Sequence, residues 1–460
     1  MKNGFEIAVI GGGPGGYVAA IKAAQLGAKV VLFEKDTVGG TCLNRGCIPT
    51  KTYVKTAEYI KHLKHAEHRG IHIDTSTLAV DLPAIVAQKD EVVKKLTSGV
   101  AGLLESYGVT VIKGLASLTK ERRISCAGEI YDVPKIILAG GSKPALPGIP
   151  GIADSDVLTS NEILDLKEIP KRLVIIGGGV IGCEIATAFA AFGSEVTIVE
   201  AANQLVVSMG KDIYKHFRKS IKAQGIKTLL KVAVAAIDRD ENGHLIVKTA
   251  DQKTLAADKV LIATGRCAEL ACLGEMRDDF EMVRNYVAVD EQMRTSIANI
   301  YCVGDMNGQG NLAHTAFKMG ESAAINALGG NECVDLRFIP NCLYTLPEAA
   351  SVGLTEETAK KDYDIAVGSF SFSANGRALG SSETEGFVKV IIDKQYGEIL
   401  GVQILGAAAT EMISEATMCM SMEITAHEVA DTIHPHPTYS EAFMEACADA
   451  LGKCIHLPKK

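Results

Sequence analysis

One internal repeat constrains this chain more than any other feature. Residues 7–35 read IAVIGGGPGGYVAAIKAAQLGAKVVLFEK, and residues 173–200 read LVIIGGGVIGCEIATAFAAFGSEVTIVE. Each copy has a short β-branched run, a Gly-x-Gly-x-x-Gly turn, an Ala-rich helical stretch and a second β run reaching Glu. The glycines are Gly11, Gly13 and Gly16, then Gly177, Gly179 and Gly182. Glu34 and Glu200 each follow the first glycine by 23 positions.

A single copy carries little weight, because an ordinary α/β domain can contain such a turn. Two copies in register, each behind a strand signal and each with its Glu, specify a pair of dinucleotide-binding βαβ units. The first glycine permits the tight turn, the second admits a pyrophosphate, and the third lets helix and sheet pack closely. Phosphate oxygens then meet a helix N-terminus, where free N–H groups and the dipole favour anions. The Glu can accept from ribose hydroxyls. After Glu200 come Ala201, Ala202 and Asn203, with no Lys or Arg before Lys211. A 2′-phosphate would want cations there, so the second site suits NAD over NADP.

At 460 residues the chain is too long for one core. Its 47% hydrophobic and 22% charged residues exclude a disordered, collagen-like or coiled-coil protein. A net charge of −8 without a basic block argues against nucleic acid. No apolar stretch is long enough for a membrane span. The N-terminus reads as neither a signal nor a transit peptide, and most of the 12 cysteines stand singly in apolar segments. Reduced, buried cysteines and a cytoplasmic location are expected.

Further landmarks divide the chain. Short β runs at 135–139 and 259–263 end in Gly140-Gly141-Ser142 and Thr264-Gly265-Arg266. Prolines 144, 147 and 150 mark a linker, and a β run at 300–303 enters Gly304-Asp305. After Pro340 the texture changes: β runs at 387–392 and 402–404 flank a polar turn, predicting an antiparallel hairpin, and a helix is expected over 407–422. The predicted fold class is α/β, with two Rossmann-like dinucleotide-binding domains and a C-terminal α+β domain. The expected boundaries are 1–146, 147–274, 275–338 (returning to the first domain) and 339–460.

Cys42 and Cys47 lie five apart, just after the first unit, in Gly39-Gly40-Thr41-Cys42-Leu43-Asn44-Arg45-Gly46-Cys47-Ile48-Pro49-Thr50-Lys51. So short a loop gains little as a structural staple. Two buried free thiols or half a metal site are the alternatives, but no second Cys/His pair has zinc spacing. Beside a nucleotide site, and with a helix start to stabilise thiolates, a redox pair is favoured.

Residues 39–51 resemble the redox-active segment of the pyridine nucleotide–disulfide oxidoreductases, nearest to the branch that oxidises dihydrolipoyl groups. The resemblance extends over essentially the whole chain. It includes both glycine turns, Ala263-Thr264-Gly265-Arg266, Tyr301-Cys302-Val303-Gly304-Asp305, Tyr344-Thr345-Leu346-Pro347-Glu348 and His434-Pro435-His436-Pro437-Thr438-Tyr439-Ser440-Glu441. It implies FAD in the first domain, held with Gly11, Gly13, Gly16, Glu34, Lys51, Gly141, Asp305 and His314. NAD would lie in the second, with Gly177, Gly179, Gly182, Glu200 and Gly265. It makes Cys47 the sulfur facing the flavin, Cys42 the interchange thiol, and Lys51–Glu184 an ion pair beside the flavin. His436 becomes the acid/base, oriented by Glu441 and supplied by the opposite subunit of a homodimer formed through residues 339–460. The separate partner would be a lipoyl-carrying protein of a 2-oxoacid dehydrogenase or glycine cleavage system. No metal is expected.

The chemistry suits these residue types. Dithiol exchange needs a thiolate, and His has the ordinary pKa nearest neutrality to take the proton, with a carboxylate fixing its tautomer. On spacing alone, a His and a Glu such as His436 and Glu441 are more often a surface pair than a catalytic one. His62, His65, His68 and His72 read as a solvated helix face, and His314 by itself as a bonded core residue. Three features depart from the family pattern: Gly140 replaces the usual Thr, Met319 replaces an acidic residue, and Pro435 and Tyr439 sit inside the His–Glu segment. A mercuric-ion relative is disfavoured because no adjacent cysteine pair ends the chain, and a glutathione-type reductase by the lack of NADP cations. The presence of both cysteines disfavours a transhydrogenase, and the full set of four reacting residues disfavours a non-catalytic subunit.

Overall fold

The computed structural model describes residues 4–459. The repeat folds as two copies of one architecture. In the first, a parallel sheet runs in the order Ile300–Cys302, Lys135–Leu138, Ile7–Ile10, Val30–Glu34, Thr110–Lys113. In the second, the order is Val157–Leu158, Lys259–Ile262, Arg172–Ile176, Glu195–Glu200, Lys227–Leu230, again parallel. The central strands are unbroken Val/Ile/Leu runs because both faces of each sheet are covered. An antiparallel three-stranded ribbon precedes strand Lys135–Leu138 in the first copy and Lys259–Ile262 in the second, built from residues 117–131 and 234–257. The strands expected at 135–139, 259–263 and 300–303 each end one residue early. Strand Ile300–Cys302 pairs with Lys135–Leu138, so the chain returns to the first sheet after building the second.

Residues 341–406 form a five-stranded antiparallel sheet in the order Asn341–Leu343, Glu348–Gly353, Ile399–Gly406, Phe387–Asp393, Ile365–Ser371. The expected hairpin is its centre, with Phe387 opposite Leu405 and Val390 opposite Val402. Helices Ala409–Ser421 and Glu441–Ala450 pack on it through Met412, Ile413, Phe443 and Ala446.

The redox segment sits where these bodies meet. Helix Cys47–Lys64 turns Tyr53, Ala57 and Ile60 onto Phe189 and Phe192 of the second unit's helix Val180–Phe192. Tyr53 stacks edge-on to Phe192 at 5.8 Å and donates its hydroxyl to the Leu164 carbonyl at 2.8 Å. The short helix Gly40–Arg45 just before it closes on the first unit, with Gly40 against Gly13. No helix among the described residues is long and apolar enough to cross a membrane.

Candidate active site

The two glycine turns are nearly superimposable in chemistry. Gly11 and Gly177 adopt φ of +105° and +112°, and a Cβ on either would stand 2.2 or 2.3 Å from the carbonyl oxygen of Ala139 or Ala263. A Cβ on Gly16 or Gly182 would collide with the Gly11 or Gly177 carbonyl. Gly13 and Gly179 cap their helices in extended conformation. Gly179 has nothing within 4 Å of its Cβ position, and Gly13 has only the Gly40 Cα at 3.7 Å. Each helix thus starts with free N–H groups and cleared space, as a pyrophosphate requires.

The acidic residues hold these turns. Glu34 accepts from the Gly12 N–H at 2.7 Å and the Asp36 N–H at 2.8 Å. Glu200 accepts from the Gly178 and Ala202 N–H groups, both at 2.6 Å. A carboxylate offers about four lone-pair sites, so each retains capacity for ribose hydroxyls. Burial pushes the Glu34 carboxyl up, and the Gly12 N–H and neighbouring Lys35 work against that. The sequence reading assigned only the ribose contact. The bracing of the turn follows from the structure.

Cys42 lies in the short helix Gly40–Arg45, and Cys47 is the first residue of Cys47–Lys64. The two sulfurs are close enough to share a hydrogen bond. A hydrogen bond from Cys42 pulls the Cys47 thiol down to about 7, and nearby Lys51 adds to this against the opposing effect of burial. Cys42 is pushed well above its ordinary value, chiefly by holding that hydrogen bond. Cys47 is thus the thiolate of the pair. Lys51 Nζ is 2.8 Å from Glu184 Oε2 and 4.4 Å from the Tyr344 ring centroid. Glu184 is buried, and its other oxygen accepts from the Tyr344 N–H at 2.9 Å. Tyr344, from the C-terminal domain, stands in the sequence as part of a family motif without an assigned role, because its bond to Glu184 spans 160 residues.

Asp305 accepts from the Ser142 hydroxyl, beside Gly141. Arg266 Nε donates to Ser142 Oγ at 2.7 Å and lies 3.9 Å from Asp305, while its Nη2 reaches Ser142 O at 2.7 Å and Thr41 Oγ1 at 3.5 Å. This residue follows Gly265, at the exit of the second unit, yet it bonds to the first unit beside Cys42. Ser142 and Arg266 were not among the expected site residues, although both follow glycine turns that the sequence displays. His314 is placed on the Pro340 carbonyl at 3.1 Å, through Nε2. Next to it, the Thr315 hydroxyl is buried without a hydrogen-bond partner among the described residues.

His436 Nδ1 is 2.8 Å from Glu441 Oε1, and Glu441 Oε2 accepts from the Thr438 N–H at 2.7 Å. A carboxylate only accepts, so Nδ1 carries the proton and Nε2 is left as the basic nitrogen. The imidazole is 76% exposed and makes no hydrogen bond to Cys42 or Cys47 among the described residues. Within one protomer the structure therefore does not join the two halves of the expected site. The departures from the family pattern also have local explanations. A Cβ on Gly140 would meet the Glu269 carbonyl at 2.7 Å and the Cys272 and Met306 sulfurs at 3.1 Å. Met319 is fully buried, with its sulfur 3.5 Å from Asn307 Nδ2. His62, His65, His68 and His72 lie at an exposed helix end, and no metal-binding cluster occurs among the described residues.

Comparison with known proteins agrees with this geometry. Residues 5–320 match the family described as pyridine nucleotide-disulphide oxidoreductase, and residues 339–447 match its dimerisation domain. The dihydrolipoyl dehydrogenase of Thermus scotoductus is 41% identical over 466 residues, covering 99% of both chains. That of Chlamydia trachomatis is 39% identical over 467 residues, covering 100% of this chain and 99% of the relative. Among solved structures, LpdA from Mycobacterium tuberculosis superposes with a TM-score of 0.90 at 27% identity, over 96% of this chain and 99% of that one. The HOCl-induced flavoprotein disulfide reductase RclA from Escherichia coli superposes with a TM-score of 0.87 at 30% identity, with coverage of 96% and 99%. With two nucleotide cradles meeting at a cysteine pair whose Cys47 is held below the ordinary thiol range, this chain belongs to the pyridine nucleotide-disulphide oxidoreductase family, whose cofactors are FAD and NAD.

Proposed function

We propose that the protein oxidises the dihydrolipoyl groups of a separate lipoyl-carrying protein to lipoyl disulfides, with NAD as the final acceptor. The observation that carries this reading is the Cys42–Cys47 pair, with its thiolate at Cys47 and its partner sulfur at Cys42. A dihydrolipoyl thiolate attacks Cys42 of the oxidised pair, and the Cys42–Cys47 bond breaks to release the Cys47 thiolate. The second dihydrolipoyl sulfur then displaces Cys42, closing the lipoyl ring. Two protons leave the substrate: His436, basic at Nε2, takes the first, and the second goes to the departing Cys42 sulfur, leaving Cys47 as the thiolate. Glu441 fixes that tautomer.

Because His436 stands exposed and away from the pair within its own protomer, the working unit is a homodimer in which each site takes its His from the partner. The dimerisation-domain match supports this arrangement. FAD fits the first cradle, through Gly11, Gly13, Gly16, Glu34, Gly141, Asp305, His314 and the Thr315 hydroxyl. NAD fits the second, through Gly177, Gly179, Gly182, Glu200 and Gly265. When bound, FAD supplies a two-electron relay between dithiol and nicotinamide. Lys51, clamped by Glu184 and Tyr344, holds a fixed positive charge beside Cys47. The domain boundaries at 146, 274 and 338 and a cytoplasmic setting belong to the same reading.

An anaerobic assay with dihydrolipoamide and NAD tests it. Rapid NADH formation is expected, with NADP a poor substitute. A protein that takes electrons from NADH but ignores dihydrolipoamide would exclude the lipoyl substrate and leave another disulfide to be sought.

A further inference from the structure

The loop that closes on the second cradle contains a backbone conformation its sequence does not favour. Val206 has φ of +44° and ψ of +50°, and the residue is 2% exposed. The left-handed region is costly for any residue with a Cβ, and a β-branched side chain there is a clear outlier. Such a residue persists only where its surroundings over-determine it. Val206 is held from both sides.

On one side, its N–H donates to the Gly178 carbonyl at 2.9 Å, and the Gly178 N–H donates to Glu200 at 2.6 Å. Gly178 lies between Gly177 and Gly179, in the turn that forms the cradle. On the other side, the Val206 carbonyl accepts from the Met209 N–H at 2.9 Å, and the Met209 carbonyl accepts from Gln403 Nε2 at 3.2 Å. Gln403 belongs to the C-terminal sheet and is 2% exposed. It approaches so closely that a Cβ on Gly210, at φ of +86°, would stand 2.7 Å from Nε2. Directly opposite Gln403 in the sheet is Lys389, also buried, whose Nζ donates to Asp212 at 2.6 Å and to Glu356. Asp212 stands in the first turn of helix Lys211–Ala223, into which the loop leads. Three consecutive hydrogen bonds thus run from the nucleotide turn to the C-terminal sheet, and a buried lysine fixes the loop's far end.

We propose that Gln403 and Lys389 are positioning residues for the second cradle: from the C-terminal sheet they hold residues 204–210 in a strained course, so that Val206 stays against Gly178 and the turn keeps the shape that receives the dinucleotide. This rests on the reading of that cradle as the NAD site. Freed from Gln403, Val206 relaxes out of the left-handed region, its N–H turns from the Gly178 carbonyl, and the fraction of molecules ready to bind NAD falls.

The test uses the flavin-loaded protein and compares wild type with Gln403→Met, Lys389→Met and Lys389→Arg. Two quantities are read: the NAD dissociation constant by titration calorimetry, and amide hydrogen exchange in peptides covering 201–213. In Gln403→Met the dissociation constant should rise about fivefold, as when the loop keeps its course about one-fifth of the time. Exchange should quicken at 205–210, while flavin content and exchange across 39–51 stay as in wild type. Lys389→Met should weaken NAD further, because it leaves Asp212 and Glu356 without their shared cation. Lys389→Arg should bring both readouts back towards wild type. Gln403→Met carries the test if Lys389→Met does not fold. Unchanged NAD affinity in the folded variants, or loss of flavin and NAD together, would overturn the proposal. A wild type that binds no NAD would instead overturn the assignment of the cradle, and the two failures are distinct.

Discussion

The two nucleotide units share a backbone and differ in what closes over it. In the first, the Gly39 N–H donates to the Gly12 carbonyl at 2.7 Å; in the second, the Val206 N–H donates to the Gly178 carbonyl at 2.9 Å. The same hydrogen bond seats two unlike loops. One leads directly into Cys42 and Cys47, and the other presents Leu205, whose side chain would clash with a Cβ on Gly178. A duplicated βαβ unit thus supplies two anion cradles, and the loop after its second strand decides whether the cradle carries a reactive sulfur pair. The fold provides binding. The loop provides chemistry.

The sharpest way to break this comparison is to damage one cradle at a time. Gly177→Ala drives a Cβ into the Ala263 carbonyl. It should cut reduction by NADH at least 100-fold while the protein stays yellow, because a displaced turn cannot seat the pyrophosphate. Gly11→Ala should instead yield protein without flavin. Absorbance at purification and stopped-flow reduction separate the two outcomes, and flavin loss from both variants would dissolve the distinction between units.

A smaller effect is expected where loop and cradle meet. Lys51→Met removes a cation that lowers Cys47, so the thiolate should form only at higher pH than about 7. Alkylation rate of the reduced pair against pH reads this directly, and an unmoved midpoint would remove Lys51 from the account. Next in size, Glu200→Ala deletes two acceptor contacts in the second turn. The KM for NADH should rise about tenfold with kcat little changed, as expected when a loosened turn loses roughly 1.4 kcal/mol of cofactor binding. Flavin content should stay constant.

The smallest contrast lies at the exits of strands Lys135–Leu138 and Lys259–Ile262. Thr264 donates to the Ala145 carbonyl at 3.0 Å, whereas Gly140, its counterpart, leaves no room for a side chain. Gly140→Thr should destabilise the protein by about 1–3 kcal/mol through overpacking, and Thr264→Gly by about 1 kcal/mol through its lost hydrogen bond. Thermal melts of the two variants would rank them.

Much of this was legible in the sequence because it depends on short-range rules. The glycine spacing, the β-branched runs and the 387–392 hairpin each reflect a local steric or periodic requirement, and their strands end within a residue or two of expectation. The pairing of Cys42 with Cys47, and of His436 with Glu441, also lies within a few residues. What stayed hidden is made by distant segments. Arg266 meets Ser142 across 124 positions, Glu184 meets Tyr344 across 160, and Tyr53 reaches Leu164 across 111. No periodicity encodes such contacts. The Glu34 and Glu200 carboxylates were assigned to ribose, but their backbone partners emerged only when the turn was seen folded. Gly140 looked like a missing hydroxyl, while the structure gives it a cause in the Glu269 carbonyl and the two sulfurs around it.

The central claim is that the second cradle delivers electrons to one particular pair of sulfurs in the first. The most direct test is anaerobic alkylation of the oxidised, flavin-loaded protein with and without NADH, followed by peptide mapping of all 12 cysteines. The account predicts labelling of Cys42 and Cys47 only after NADH, with Gly177→Ala losing that response. Equal labelling of the two without NADH, or NADH-dependent labelling elsewhere, would contradict it.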